Sequence, residues 1–218
     1  MSAARSIPVT IDRLRAFPPA PAPNDDPRTV KSNLAQQDVR LCQNVLAYHI
    51  AHHPDSRVFG HEQVGGLKLV EITVTPRGAL RQTEKETRAP RPDDFEGVTV
   101  CELTVQEGML NVHGTLAGAC AVLAIDLATF APLFALSALT GIDASGFSTS
   151  MNIVWHAPAV PGMTLRFVGT TLSFKGRMAS ARCEVYDKKK GTLVISATHV
   201  VAPVQGLPVA GGAAAAKL

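Results

Sequence analysis

The chain has 218 residues, 46% hydrophobic and 18% charged, which supplies one sizeable core with decoration or at most two small domains. A net charge of +3, with no basic block denser than Lys188-Lys189-Lys190, gives no basis for nucleic-acid binding. The four cysteines (Cys42, Cys101, Cys120, Cys183) form no CxxC pair, which argues against a zinc site or a disulfide framework and fits a reducing compartment.

Residues 1–30 are proline-rich and aperiodic, with no apolar run of the kind that marks a secretory signal, and are expected to form a flexible leader. Residues 31–64 form an N-terminal helical segment. Asn33 and Gln36 have capping-box spacing, and Leu34, Leu41, Val45, Leu46, Tyr48 and Ile50 give an apolar stripe, which predicts a helix over 34–53. His52-His53-Pro54 ends it; without partner ligands nearby, the paired histidines read as the polar end of a helix and not as a metal site.

Gly65-Gly66 opens a predicted strand from Leu67 to Thr75, and a second runs from Val98 to Val105. Between them, residues 76–96 are rich in arginine and acids and read as an inserted polar loop. Gly114-Thr115 then supplies a turn and an N-cap for a helix from Leu116 into the 130s, apolar on every face. Ala117, Ala121, Ala124 and Ala128 form a small-residue stripe that lets a sheet or a partner helix approach closely. Pro132 is expected to kink or end the helix.

Asp126 is the one formally charged residue between Gly108 and Ile142. A lone carboxylate in so apolar a helix costs free energy unless its surroundings use it. Leu116 to Leu139 is long enough to cross a bilayer, but no Lys or Arg flanks it and no Trp/Tyr belt marks its ends. Asp126 near the middle would cost about 2.5–3.5 kcal/mol on insertion scales, so a buried core helix is the better reading and no membrane span is expected.

Four strand patterns follow. The first alternates Phe147, Thr149, Met151, Ile153 and Trp155 against Ser148, Ser150, Asn152 and His156. The next, about Met163 to Phe174, changes phase at Gly169, which predicts a bulge there. Lys175-Gly176-Arg177 makes a hairpin turn, and Ala179–Asp187 and Leu193–Pro203 complete a meander. The fold class is α+β, with an antiparallel sheet of about six strands wrapped around a long buried central helix and the main domain over 65–204.

Asn111-Val-His-Gly-Thr-Leu-Ala-Gly118, Asp126, and Ser148-Thr-Ser-Met-Asn-Ile153 with Pro158 resemble the hotdog-fold acyl-CoA thioesterases of the phenylacetic-acid thioesterase-like and thioesterase-superfamily group. The resemblance runs from about Gly65 to Pro203. It implies Asp126 as general base or nucleophile, Asn111 as a contact to thioester or water, the Gly118 N–H as oxyanion donor and Ser148 as a hydroxyl that positions water. It also implies a homodimer, or a tetramer built of two dimers, with active sites at the dimer interface. No cofactor or metal is implied, since CoA belongs to the acyl-CoA substrate. The departure is at Ala117, where the family commonly has His in a His-Gly-Gly run and this chain reads Ala117-Gly118-Ala119. His113, four residues earlier, either reaches the same space or packs in the turn. His113, Thr115, Ala117, Lys175 and Arg177 are the candidate substrate-binding residues, with the Lys188–Lys190 turn a further candidate for the CoA phosphates.

The reading is therefore acyl-CoA hydrolysis. Its alternatives are an acyl-CoA-binding hotdog protein without efficient chemistry, motivated by Ala117, and an enoyl-thioester hydratase or dehydratase. Residues 205–218 read as a flexible Ala/Gly tail. The tripeptide Ala216-Lys217-Leu218 differs by one small residue from the Ser-Lys-Leu peroxisomal address. Peroxisomal localisation through an import receptor is the expectation, with cytoplasm or mitochondrion as alternatives.

Overall fold

The computed structural model describes residues 11–50, 58–78, 89, 91–144, 146–175 and 178–203. Predictions that rest on His52 and His53, on Arg177 and on the tail with Ala216-Lys217-Leu218 lie outside them.

The helices are α1 (Asp12–Arg15), α2 (Gln36–Ile50), α3 (His61–Val64) and α4 (Gly118–Thr140). The strands are β1 (Lys31–Ser32), β2 (Lys68–Pro76), β3 (Phe95–Thr104), β4 (Gly146–Trp155), β5 (Thr164–Lys175), β6 (Met178–Asp187) and β7 (Leu193–Pro203). They form one seven-stranded sheet in the order β1-β2-β3-β5-β6-β7-β4, antiparallel except for the short β1–β2 pair. The sequence predicts about six strands; the additional one is β1, whose two residues lie within the segment read as helical.

Helix α4 lies in the curve of the sheet. Its alanines do the packing: Ala121, Ala124, Ala128, Ala131 and Ala135 are buried against Cys101, Leu103, Leu165, Phe167 and Val185. Small side chains let the helix axis come close, and the large residues of the strands fill the space between. Pro132 does not end the helix, which runs unbroken for 23 residues to Gly141 in the left-handed region. Proline removes the N–H that would bond the Ala128 carbonyl. The sheet is shaped to that turn, because a Cβ on Gly169 would stand 2.5 Å from the Ala128 carbonyl oxygen, and one on Gly97 would stand 2.8 Å from that of Pro132. Gly169 is therefore a site of close approach and not the predicted bulge. The β5–β6 register runs straight through it, and the irregularity falls between Thr171 and Ser173.

The N-terminal segment departs from expectation twice. Residues 11–30 are packed, not loose: Ile11 and Leu14 are buried with Val45 and Phe134, and Asn24 is buried with hydrogen bonds to the Leu67 carbonyl and from the Leu69 N–H. Apolar residues between the prolines supply the anchor that composition alone obscured. The predicted capping box is also absent. The Asn33 side chain bonds both backbone groups of Val74, and the α2 N–H groups of Asp38 and Val39 go to the Ala35 carbonyl. Helix α2 packs on α4 as part of the same unit, placing Leu46 and His49 over it.

At the predicted loop 76–96, Pro76 still pairs with Phe95, and Arg77 donates to the carbonyls of Phe95 and Thr171. Its ends thus belong to the β2–β3 hairpin. Helix α4 is long and apolar enough to cross a membrane, yet most of it is buried inside the sheet, which accounts for its composition.

Candidate active site

Asp126 lies on the one stripe of α4 that the sheet and α2 leave open, with Gly118, Ala119, Val122, Leu123 and Phe130 also partly or fully exposed. Strand β4 brings Ser148 to it. The β4–β7 register slips between Ser148 and Ser150, and this bulge breaks the regular alternation so that both Phe147 and Ser148 face the same space. Ser148 Oγ donates to Asp126 Oδ1 at 2.8 Å. Together they edge a cavity of about 320 Å³ whose walls are Leu46, Leu127, Phe130, Phe134 and Phe147, with His49 beside them. The rings of His49, Phe134 and Phe130 stack in sequence, and Phe130 meets His199 edge-on. The site is apolar with few polar groups, as small-molecule sites commonly are.

His199 of β7 stands behind the carboxylate. It is fully buried, its Nδ1 is 2.7 Å from Thr129 Oγ1, and its Nε2 lies 3.6 Å from Asp126 Oδ1 with no hydrogen-bond partner among the described residues. Burial lowers its pKa from the ordinary 6.5, against a smaller upward pull from Asp126. The Asp126 side chain retains 31% of its exposure in the single chain.

The other predicted residues gather elsewhere. Asn111, Thr115 and Gly118 line a second cavity of about 400 Å³ with Trp155, His156 and Pro158. The Asn111 side chain builds the turn before α4: its Oδ1 accepts from the N–H groups of His113 and Thr115, and its amide donates to Thr115 Oγ1. Gly114, at φ 72°, takes the left-handed corner. Ala117 is the N-cap and has no side chain to close the helix end, so the first-turn N–H groups of α4 face outward from exposed Gly118 and Ala119. His113 lies in this turn, exposed, and lines neither cavity. Lys175 is the last residue of β5. Lys188 is paired with Glu102 at 2.7 Å.

The structure thus divides the predicted set in two. Asp126 and Ser148 edge one cavity, while Asn111, Thr115 and Gly118 line the other. Eight residues of helix separate Gly118 from Asp126, about 12 Å along the axis. Between the two runs β4, an edge strand with Phe147, Val154 and Trp155 about half exposed.

A largely antiparallel sheet wrapped around one long central helix, with an edge strand following that helix in sequence, decides the architecture. The chain has the hotdog fold. No protein-family model matches the sequence, and no curated protein matches it. Among solved structures of similar chain path, the thioesterase superfamily member 2 of Mus musculus has 22% identity over 66% of this chain and 87% of its own, with a TM-score of 0.48. Its zebrafish counterpart has 22% identity over 69% and 89%, with a TM-score of 0.49. A hypothetical thioesterase from Streptococcus pneumoniae, solved with coenzyme A, has 15% identity over 48% and 79%, with a TM-score of 0.44. At such identities the likeness concerns the fold, and the chemistry of this hotdog chain rests on its own residues.

Two groups at the site are absent from the sequence reading. His199 had a usable signal, as the polar member of an inward row in β7 with Ala197 and Val201. Alternation marks it as a buried histidine but says nothing of Asp126, 73 positions away. His49 had a signal too, since it stands four residues after Val45 and three after Leu46, within the apolar stripe of α2. Among the described residues no group of three His, Cys, Asp or Glu is placed to hold a metal ion.

Proposed function

We propose that the protein is an acyl-CoA thioesterase, a homodimer that hydrolyses R–CO–S–CoA to the free acid and CoA. The observation that carries this reading is the Asp126 carboxylate, held by Ser148 at an aromatic cavity, with an uncapped helix N-terminus facing a separate cavity on the same chain. Each half lacks what the other has. Two copies joined along β4 would set Asp126 of one protomer against the partner's Asn111 and Gly118. That contact would also cover the open stripe of α4 and the exposed apolar residues of β4.

In this arrangement the acyl group enters the cavity lined by Phe130, Phe134 and Phe147. Asp126 removes a proton from water as the water oxygen bonds to the thioester carbon. The carbonyl oxygen, now an oxyanion, is met by the partner's Gly118 N–H at the positive end of α4. Collapse breaks the C–S bond, and the proton passes from Asp126 to the departing thiolate. Ser148 keeps one carboxylate oxygen occupied and leaves the other for water.

Ala117 supports a second reading, an acyl-CoA-binding protein with little turnover, because it brings no side chain to the oxyanion end. An enoyl-thioester hydratase would need a second acid–base group beside Asp126 at the acyl cavity, where His49 is the other titratable side chain.

The test is thiol release across a series of acyl-CoA chain lengths, with Asp126→Asn beside wild type. Loss of a general base lowers kcat by roughly 100- to 10,000-fold. Wild-type turnover by the Asp126→Asn protein would overturn the mechanism. Tight acyl-CoA binding without thiol release would favour the binding protein.

A further inference from the structure

The cavity beside Asp126 has one polar side chain that hydrolysis leaves unused. Apart from Asp126 and Ser148, the described residues that line it are apolar except for His49 of α2. The His49 ring is fixed by its neighbours: it stacks with Phe134 at 5.9 Å between centroids and meets Phe17 and Tyr48 edge-on. Its Nδ1 lies 2.7 Å from the Val45 carbonyl oxygen, one helical turn back. A carbonyl only accepts, so the hydrogen of this bond is on Nδ1. In the neutral ring Nε2 is then an acceptor, and it has no hydrogen-bond partner among the described residues. The residue is exposed in the single chain, so a ligand can reach it. The apolar side chains around the ring nonetheless desolvate it and hold its pKa below the ordinary 6.5, against smaller upward pulls from the Val45 bond and Asp126. At neutral pH the ring is uncharged.

Placement and wall chemistry narrow what this acceptor can meet. Phe134 follows Asp126 by eight residues of helix, about 12 Å along the axis, and His49 stacks on it. The acceptor therefore lies toward the far end of an acyl chain whose thioester is at Asp126. Phe134 also stacks with Phe130, so the rings of this wall engage one another and present an apolar surface to a flexible chain. A neutral acceptor calls for a donor. A carboxylate offers none, and Asp126 already places a negative charge at the cavity. An alcohol O–H satisfies it.

We propose that His49 selects acyl-CoA substrates whose aliphatic chain carries a hydroxyl several carbons from the thioester, the O–H donating to Nε2. The inference rests on the thioesterase reading and adds to it the class of acyl group. A plain chain of the same length leaves the imidazole acceptor against hydrocarbon, which weakens its binding. Helix α2 thus reads the chain, and α4 supplies the base.

The experiment uses the full protein and pairs of CoA thioethers in which a methylene replaces the thioester carbonyl, so that nothing is hydrolysed. Each pair matches an alkyl chain with the same chain hydroxylated at one position, and the hydroxyl is moved along the chain from pair to pair. Calorimetric titration should show the hydroxylated member binding roughly three- to tenfold more tightly, the effect of one neutral hydrogen bond, where the hydroxyl is remote from sulfur. His49→Phe should bring that ratio to about one, and His49→Gln, whose amide oxygen still accepts, should retain part of it. If His49→Phe does not fold, His49→Leu takes its place. Equal binding within every pair, or a preference unchanged in His49→Phe, would overturn the proposal. So would tighter binding of a carboxyl-ended chain, which calls for a cationic ring. Thiol release is then followed on the matching thioesters. Selective binding without thiol release would support the hydroxyl site while refuting the thioesterase reading; thiol release with equal binding would do the reverse.

Discussion

Ser148 Oγ donates a 2.8 Å hydrogen bond to Asp126 Oδ1, joining the free edge of the sheet to the middle of the central helix. A hydrogen bond to a carboxylate contributes about 1.5–3 kcal/mol. Ser148→Ala should therefore lower kcat/KM for acyl-CoA roughly 10- to 100-fold, at about 1.4 kcal/mol per factor of ten. The residue is exposed in the single chain, so thermal melting should barely change, and steady-state kinetics beside a melting curve checks both.

The edge strand offers a direct test of assembly. Val154 is 48% exposed on β4, away from both cavities. A lysine there blunts an edge against pairing with another chain. Val154→Lys should run as a monomer in light scattering and analytical ultracentrifugation, keep its fold by circular dichroism, and lose thiol release. Full activity in a verified monomer would show that one chain holds a complete site.

Gly169→Ala probes the contact between sheet and helix. The added Cβ would meet the Ala128 carbonyl at 2.5 Å, with Pro132 Cδ and Cγ each at 3.2 Å. Overpacking of this kind costs about 1–3 kcal/mol, and here the obstruction is backbone, which cannot turn aside. Urea unfolding should show a lower midpoint with an unchanged slope.

Stability should depend on pH through His199. Burial holds its folded-state pKa below the ordinary 6.5, so near that pH the unfolded chain binds a proton that the folded chain does not. Unfolding then takes up a proton, and stability rises with pH across this window. The contribution is complete above the unfolded value of 6.5 and is lost as pH falls toward the folded-state value. Melting temperature should decline on acidification from neutral pH, and His199→Gln should show a shallower decline.

Much of this architecture was legible because it depends on local pattern. Period-two alternation marks β5, β6 and β7, and the uniformly apolar run marks α4 as interior. Asp126 announces itself as the lone charge in that run. The turn from Asn111 to Thr115 is likewise local, since its hydrogen bonds link residues at most four apart. Where the reading failed, the deciding partner lay far along the chain. Pro132 looked like a kink or an end, whereas the helix runs on past it with Gly97 and Gly169 bringing two strands against its turn. The leader looked loose until Asn24 found the backbone of Leu67 and Leu69.

The sequence by itself determined the carboxylate, the turn and the strand serine, because residue identity and spacing are one-dimensional facts. Tertiary structure decided their grouping. It seated His199 behind Asp126 across 73 positions, used a bulge in β4 to turn Ser148 inward, and laid α2 over the cavity with Leu46 and His49. It also held Asp126 apart from the turn that ends at Gly118, since eight helical steps put the two about 12 Å apart along the axis. That separation follows from the rise of the helix, and the two cavities lie apart because of it.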